Sequence, residues 1–347
     1  SVYPTISSGK DTKLIMASTP LGMNLFFKFW TDAKAGRNGF VPYEVHWSQV
    51  PGRDQKWYEE TIKAIGVQKF EQEYNCAFLG SSNTLISGEK LACLTYKEPI
   101  NEISGMKIYE EPIMESFDEE GNLVTGTHLY AMTVDVSEGK NMDYSAFSIF
   151  DVSIMPYKQV ATYRDNRISP LLFPNILQMC AEYYNDAHVL IEINNNPQVA
   201  DILQNDLEYD NVLKVSSGNK KAQTLSSGFA RGMQLGLRMS PLVKRMGCST
   251  LKTLVEMDKL IINDFETYSE LTTFISTSNS YEAEDGCNDD LAMSLVIFGW
   301  LSTQKYFKEI VDHDIRKQLQ IDKFNLVDDE EILPIGELNT GIETPFF

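Results

Sequence analysis

The chain has only five cysteines and four histidines in 347 residues, and neither kind clusters. Cys76, Cys93, Cys180, Cys248 and Cys287 are scattered, with no CxxC pair and no histidine at zinc spacing. That excludes a zinc framework and reads as reduced, mostly buried thiols. Long hydrophobic runs are also missing. The most apolar stretch, Leu291 to Leu301, is far shorter than the ~20 residues a bilayer span needs, and no basic-then-apolar segment opens the chain. A cytosolic protein with no membrane partner is expected. No repeat of roughly 20–50 residues is visible, which argues against solenoids and propellers.

What is present is ordinary for a globular protein with a real core: 43% hydrophobic and 23% charged residues. The formal net charge of -19 argues against a generic nucleic-acid coat, because nonspecific DNA affinity comes from Lys and Arg on phosphates. The distribution matters more than the total. From Asn211 to Thr250 there is no Asp or Glu, yet Lys214, Lys220, Lys221, Arg231, Arg238, Lys244 and Arg245 all occur. This local reversal fits a DNA-facing surface, and it also fits a solvated loop with chance charge. The opening at Ser1 fits a fragment or a processed product. Residues 327–347, with Asp328, Asp329, Glu330 and Glu331, read as an acidic tail.

Hydrophobic periodicity gives the order of elements. KLIMAS (13–18) reads as a short buried strand, TPLG (19–22) breaks it, and helices follow from 23 and over 57–74. A composition change puts a domain boundary near residue 100. From Thr127 the pattern becomes regular. Strands are expected over 127–137, 145–153 and 157–169, then a helix over 175–187, a strand over 188–194 and a helix from Pro197 to Tyr209. A fifth short strand is expected over 212–216, an amphipathic helix over 248–260 and a long buried helix over 289–307. Three strands joined by short turns imply antiparallel neighbours, and the helical crossover to the fourth implies a parallel pairing. This β-β-β-α-β-α order is the RNase H-like arrangement.

Acidic residues fall where such a fold gathers them. Asp135 ends the first strand, Glu192 lies near the end of the fourth, and Asp289 and Asp290 open the final helix. If the first and fourth strands are neighbours, their ends lie ~5 Å apart, so that Asp135 and Glu192 can share a metal. Phosphodiester cleavage needs a more acidic water and a neutralised leaving oxygen, which two divalent ions supply together. Mg²⁺ and Mn²⁺ prefer carboxylate oxygens, so Asp and Glu without His or Cys are the fitting ligands. Each position also has a plain reading. Asp135 can be a turn former, and Asp289 and Asp290 can be N-caps facing a helix dipole. Glu192 inside an apolar strand is harder to explain without a partner.

The segments TVDVSEGKNMDYSAFSIFDV (133–152), VLIEINN (189–195), GCSTLKTLVEMDKLII (247–262) and EDGCNDDLAMSLVIFGWLST (284–303) resemble the nuclease domain of large terminase subunits of T-even-type tailed phages. KLIMASTPLGMNLFFKFW (13–30) looks like the last strand and coupling motif of that family's ATPase domain, and KFEQEYNCAFLGSSNTLISG (69–88) like the connecting region. The likeness keeps its order to about residue 305. It implies an α/β fold, an RNase H-like mixed sheet flanked by helices, preceded by the C-terminal remnant of a P-loop ATPase domain. Residues 1–100 would be that remnant with its linker, 101–310 the nuclease domain, and 311–347 a helical extension and acidic tail. The resemblance implies Asp135, Glu192 and Asp290 as catalytic carboxylates holding two Mg²⁺ or Mn²⁺ ions. Asp289 would be a helper and Asp143 a further acidic group near the metals. It places Ser18 and Thr19 in the ATPase coupling motif. Where many members of the family carry a histidine before the DD pair, this chain has Asn288.

The implied function is a metal-dependent endonuclease that cuts concatemeric double-stranded viral DNA during packaging into the phage head. Lys220, Lys221, Arg231, Lys244 and Arg245 would grip DNA. The implied partners are double-stranded DNA, the portal protein, the small terminase subunit and the missing N-terminal ATPase portion, and the implied place is the host cytoplasm and, transiently, the procapsid portal vertex, outside the virion. Three alternatives stay open: a resolvase-like or transposase-like enzyme on the same scaffold, a nuclease-inactive assembly module, and an acidic cytosolic protein whose carboxylates only cap helices. One departure is an absence. The sequence contains no GxxxxGK[ST] loop and no apolar strand ending in a DE pair ahead of residue 13, so the backbone donors and lysine that cradle ATP phosphates are lacking. This chain alone is therefore expected neither to bind nor to hydrolyse ATP. A DNA-stimulated ATPase assay on the purified chain checks this, and measurable turnover would overturn it.

Overall fold

The computed structural model describes residues 12–312, apart from 21, 23–24, 35, 79–82, 118–122, 138–143, 218–222, 227–232 and 279. In chain order the strands are β1 (Asn101–Ile103), β2 (Met106–Ile108), β3 (Ser116–Phe117), β4 (Leu123–Thr125), β5 (Tyr130–Asp135), β6 (Ser145–Asp151), β7 (Tyr157–Asp165) and β8 (His188–Ile191), then β9 (Lys214–Ser217), β10 (Gln223–Ser226), β11 (Met233–Leu235), β12 (Leu260–Ile261), β13 (Phe274–Ser276) and β14 (Tyr281–Ala283). The helices are α1 (Leu25–Lys34), α2 (Gln55–Ile65), α3 (Val67–Glu73), α4 (Gly88–Cys93), α5 (Phe173–Tyr183), α6 (Gln198–Asp201), α7 (Pro241–Glu256), α8 (Phe265–Thr273) and α9 (Asp290–Leu301).

The central sheet has seven strands in the order β1-β2-β7-β6-β5-β8, with β12 alongside the start of β7. The pairs β5–β6 and β6–β7 are antiparallel, as short connections require, and β5–β8 is parallel across the α5 crossover. The β-β-β-α-β-α order read from the sequence is thus the order observed, and the fold is an RNase H-like mixed sheet flanked by helices.

Strand alternation sorts the core into two layers. Tyr130, Met132 and Val134 of β5 join Phe147, Ile149 and the α5 residues Phe173, Leu177 and Cys180 on one side. Ala131 of β5, Phe150 of β6 and Leu190 of β8 join residues of α7, α8 and α9 on the other. Helix α9 is buried at every position, which explains an apolar sequence without an amphipathic stripe. Its backbone lies close to that of α7. A Cβ added at Gly247 would stand 2.3 Å from the Val296 carbonyl oxygen, and one at Gly299 would stand 2.5 Å from that of Gly247.

Several segments differ from the reading of the sequence. Residues 13–18 form no strand: Ile15 is 86% exposed, and no described segment offers them a backbone to pair with. The helix over 57–74 is two helices, broken at Gly66, whose φ of +83° suits a residue without Cβ. The fifth strand does not join the main sheet as a ladder. It starts at Lys214 and pairs with β10 and β11, touching β8 only through the Val189–Val212 bridge. The long terminal helix ends at Leu301, before a break at residues 302–304. Residues on the early side of the expected boundary near 100 also enter the helix-side core. Leu85, Ile86 and Leu91 are buried there, Leu85 N donates to Phe274 O at 3.0 Å, and Ser87 N donates to Glu256 Oε1 at 2.8 Å. Among the described residues no helix is long and apolar enough to cross a membrane.

Gly247 and Gly299 set two effects against each other. Alanine would raise helix propensity by about 0.5–1 kcal/mol, whereas its methyl would overpack a backbone contact at a cost of about 1–3 kcal/mol. Gly247→Ala and Gly299→Ala are expected to lower the denaturant midpoint. A midpoint that rises would show that the two helices can separate freely.

Candidate functional site

The alternation that sorts the core also aims the acidic residues. Ala131 and Thr133 face α9, where Thr133 Oγ1 donates to Ser294 O at 2.8 Å, so Asp135 at the next step of that face points the same way. Leu190 of β8 faces α9 too, and Glu192 lies two residues further on. The parallel register pairs Val134 with Ile191, and Glu192 N donates to Val134 O at 2.9 Å. The two carboxyl groups meet and share a hydrogen bond.

Glu192 is 6% exposed, and Asp135 keeps partial access at the strand end. Burial, then the charge of Glu192, with Asp290 and Asp289 adding to it, holds the Asp135 carboxyl well above the usual carboxylate range. Burial also raises Glu192, and the bond with Asp135, the Asn194 N–H and the nearby Lys244 work against that rise. Two like charges cannot both persist at such close range in a poorly solvated place, so without a cation the pair keeps a proton between them.

Asp290 lies in the first turn of α9 and is 8% exposed. Its Oδ1 accepts the Tyr144 N–H at 3.1 Å, and its Oδ2 lies 3.6 Å from Arg164 Nη2. Arg164 also reaches Glu270 Oε1 at 3.3 Å through Nη1, and its guanidinium stands 3.9 Å from the centroid of the Tyr144 ring. Glu270 Oε2 accepts the Ala292 N–H at 2.9 Å, taking up one of the backbone donors that a helix start leaves open. Burial, against the pull of Arg164, pushes the Glu270 carboxyl up to about 8. Helix α8, which carries Glu270, is held in place from its start. Asp264 caps it by accepting the Thr267 N–H at 2.7 Å and also accepts a hydrogen bond from the Tyr109 hydroxyl at 2.5 Å.

Asp289 occupies the N-cap position of α9 without capping it, since its Oδ2 accepts instead from Ala283 N at 3.3 Å. Its charge and that of Asp290 reach Asp135. Asp143 falls outside the described residues, as do Lys220, Lys221 and Arg231. Lys244 and Arg245 are in the first turns of α7, and Lys244 acts on Glu192. Asn194 sets that helix against the strand end. Its Nδ2 donates to Met239 O and its Oδ1 accepts from Met239 N, both at 2.9 Å, just before the Ser240 cap. Gly236 allows a similar approach: its φ is +76°, and a Cβ there would stand 2.4 Å from Ile191 O. Ser18 and Thr19 lie in the extended segment before α1, away from this sheet end in sequence.

The structure therefore brings Asp135 and Glu192 into contact and sets Asp289 and Asp290 within electrostatic reach. Asp290 is turned to Arg164 and Tyr144, and among the described residues no three His, Cys, Asp or Glu side chains form a group that could hold a metal ion. The donor chemistry nevertheless fits a hard divalent cation. The pair offers only oxygens, is largely shielded from water yet reachable at Asp135, and carries a proton that a cation would displace. Sequence reasoning did not find Arg164 and Glu270. One cue existed, an arginine on the face of β7 that otherwise turns Gln159 and Thr162 inward. Glu270 sits in an unremarked polar helix and gave no signal.

The model of the terminase RNaseH-like domain matches residues 132–312, more than half of the chain. The large terminase subunit of Thermus phage G20c is 25% identical over 322 residues, covering 86% of this chain and 57% of its own length. That of Thermus virus P23-45 is 26% identical with the same coverage. The chain thus spans 57% of the length of the curated relatives it matches. The crystal structure of the large terminase nuclease from thermophilic phage G20c with bound magnesium is 20% identical, with a TM-score of 0.44, and covers 63% of this chain and 97% of its own. With the expected strand order and the paired carboxylates in place, the matched residues establish that the chain belongs to the terminase RNaseH-like domain family.

Proposed function

We propose that this chain is the nuclease part of a viral genome-packaging terminase, a metal-dependent endonuclease that cuts concatemeric double-stranded DNA. The observation that carries the reading is the Asp135–Glu192 pair: two carboxyl groups in contact at the joined ends of parallel strands, Glu192 buried and Asp135 half-buried, close to Asp289, Asp290 and Lys244. A pair of buried acids that keeps a proton has little structural use, since hydrophobic residues of similar volume often serve stability as well or better.

Asp135, Glu192 and Asp290 would hold two Mg²⁺ or Mn²⁺ ions, with Asp289 supporting them and Asp143 as a further candidate. Divalent cations held there supply the Lewis acidity that makes a water more acidic and offsets charge on the leaving oxygen. The protein's own part is positional. The β5–β8 ladder fixes the spacing of Asp135 and Glu192. The Tyr144 N–H fixes one oxygen of Asp290. Lys244 and Arg245, with Lys220, Lys221 and Arg231 in the same basic stretch, would draw the phosphate backbone to the carboxylates, a contact that weakens as salt is added.

The wider setting belongs to the same reading. Residues 1–100 would be the end of a motor domain with its linker, Ser18 and Thr19 its coupling motif, and 311–347 an extension and tail. The T-even likeness, the ATPase portion, the portal and the small terminase as partners, and action in the host cytoplasm at the procapsid portal vertex all follow from it.

Plasmid cleavage with Mg²⁺, Mn²⁺ or EDTA tests the proposal. Wild type is expected to linearise DNA only with metal, and Asp135→Ala to lose on the order of 100-fold or more in rate while remaining folded. A folded wild type that cuts nothing under any metal would favour the assembly-module reading, and cutting confined to branched substrates would favour a resolvase.

The raised carboxyls also set a pH dependence. The folded state holds the Glu270 proton more tightly than the unfolded state, with the value moved from 4.5 to about 8. Its contribution to stability is full below 4.5 and is lost as pH rises towards 8. Asp135 and Glu192 act in the same direction. His188, whose buried ring favours the neutral form, acts in the opposite one. In EDTA, the thermal midpoint of Glu270→Gln should therefore fall less steeply over this range than that of wild type. Parallel profiles would show that Glu270 is ionised throughout.

A further inference from the structure

Arg164 is a half-buried cation set between two buried acids of this site. It leaves β7 opposite Ala146 of β6, on the face that carries Thr162 towards α8 and α9. Its guanidinium lies between Glu270 Oε1 at 3.3 Å and Asp290 Oδ2 at 3.6 Å, and it stacks 3.9 Å from the Tyr144 ring centroid. The two acids are 5% and 8% exposed. Placing a guanidinium and two acids there is costly, and holding α9 against the sheet does not require it, because α9 is already buried along its whole length.

The geometry instead bears on the orientation of one carboxylate. Tyr144 supplies both the ring under the guanidinium and the N–H that binds Asp290 Oδ1, so the two oxygens of Asp290 are set by neighbouring groups on one support. Glu270 completes the arrangement from the far side, since its second oxygen binds the Ala292 N–H two residues beyond Asp290. The ion contacts are longer than the ~2.7–2.9 Å of a charge-assisted hydrogen bond. Arg164 Nε and Nη2 are buried without a hydrogen-bond partner among the described residues. The planar fork thus directs Asp290 through its field and its stacking, without closing on it.

We propose that Arg164 is a positioning residue, anchored by Glu270 and Tyr144, that sets the Asp290 carboxylate in the orientation from which it joins Asp135 and Glu192 on a divalent cation. This rests on the reading of Asp290 as a metal ligand. Groups that orient a metal ligand from behind are commonly worth about 10–100-fold in metal affinity. A lysine keeps the charge but not the plane or the fork, so it does not replace the arginine here.

The sign of the effect separates this role from others. Removing a cation beside the site would by charge alone tighten metal binding, and a purely structural arginine would leave affinity unchanged in the folded variant. Loss of positioning weakens it. The measurement is Mn²⁺ binding to the full chain, followed by the loss of the free-ion electron paramagnetic resonance signal, with thermal unfolding as the control for folding. Arg164→Ala is expected to weaken Mn²⁺ binding about tenfold or more, and Arg164→Lys to weaken it by less. Should Arg164→Ala not fold, Arg164→Met combined with Glu270→Gln removes both ionisable groups while keeping an amide oxygen for the Ala292 N–H, and the same weakening is expected. Unchanged or tighter binding in a folded variant, with wild type binding and Asp290→Ala impaired, overturns the role of Arg164 alone. Absence of Mn²⁺ binding by wild type, or full binding by Asp290→Ala, overturns the ligand reading and the inference with it.

Discussion

The parallel pairing of β5 with β8 is the contact on which the rest of the site depends. It is made by the two strands that α5 separates in sequence, and its register brings Val134 beside Ile191. Because side chains alternate along a strand, this one register decides that Asp135 and Glu192 emerge together on the α9 side. A slip by one residue would put Glu192 among the α5 residues and leave Asp135 without a partner. The many apolar side chains on both faces, Met132 and Val134 on one and Ala131 and Leu190 on the other, therefore do more than stabilise the sheet. They exclude every register in which the carboxylates fail to meet.

Around that pairing the molecule gathers charge of one sign in a poorly solvated place and answers it in two ways. Asp135 and Glu192 share a proton, whereas Asp290 and Glu270 share an arginine. The first arrangement yields readily to a cation, since a proton can leave. The second is permanent, since the guanidinium does not give up its charge. One half of the acidic cluster is thus exchangeable and the other is built in.

Much of this was legible in the sequence, and the reasons differ by element. The β5 to β8 order could be read because short turns force antiparallel pairing and a helical crossover forces parallel pairing. Glu192 stood out because it interrupts an apolar strand, and Asp135 because it ends the strand expected to lie beside it. Asp290 was visible only as one of two adjacent acids, and the sequence carries no sign that one of its oxygens accepts the Tyr144 N–H. Glu270 was not found because it is an ordinary residue for its helix, and Arg164 because its one cue, the strand face it shares with Gln159 and Thr162, gains meaning only once Glu270 is set beside it. The strand expected over 13–18 did not form for a related reason: an apolar run specifies a tendency to pair, and the partner must come from elsewhere. The basic stretch could be recognised by its lack of acids, but composition does not reveal that Lys244 is brought near enough to act on Glu192.

The reciprocal amide pair between Asn194 and Met239 has a mechanical consequence. Asn194 follows Glu192 by two residues on the same strand end, and Met239 precedes the helix that carries Lys244 and Arg245. A single side chain therefore couples the rail of basic groups to the strand that bears the acid. Displacement of that helix would pull on the strand end that bears Glu192, so one side chain ties the placement of Lys244 to that of the acid.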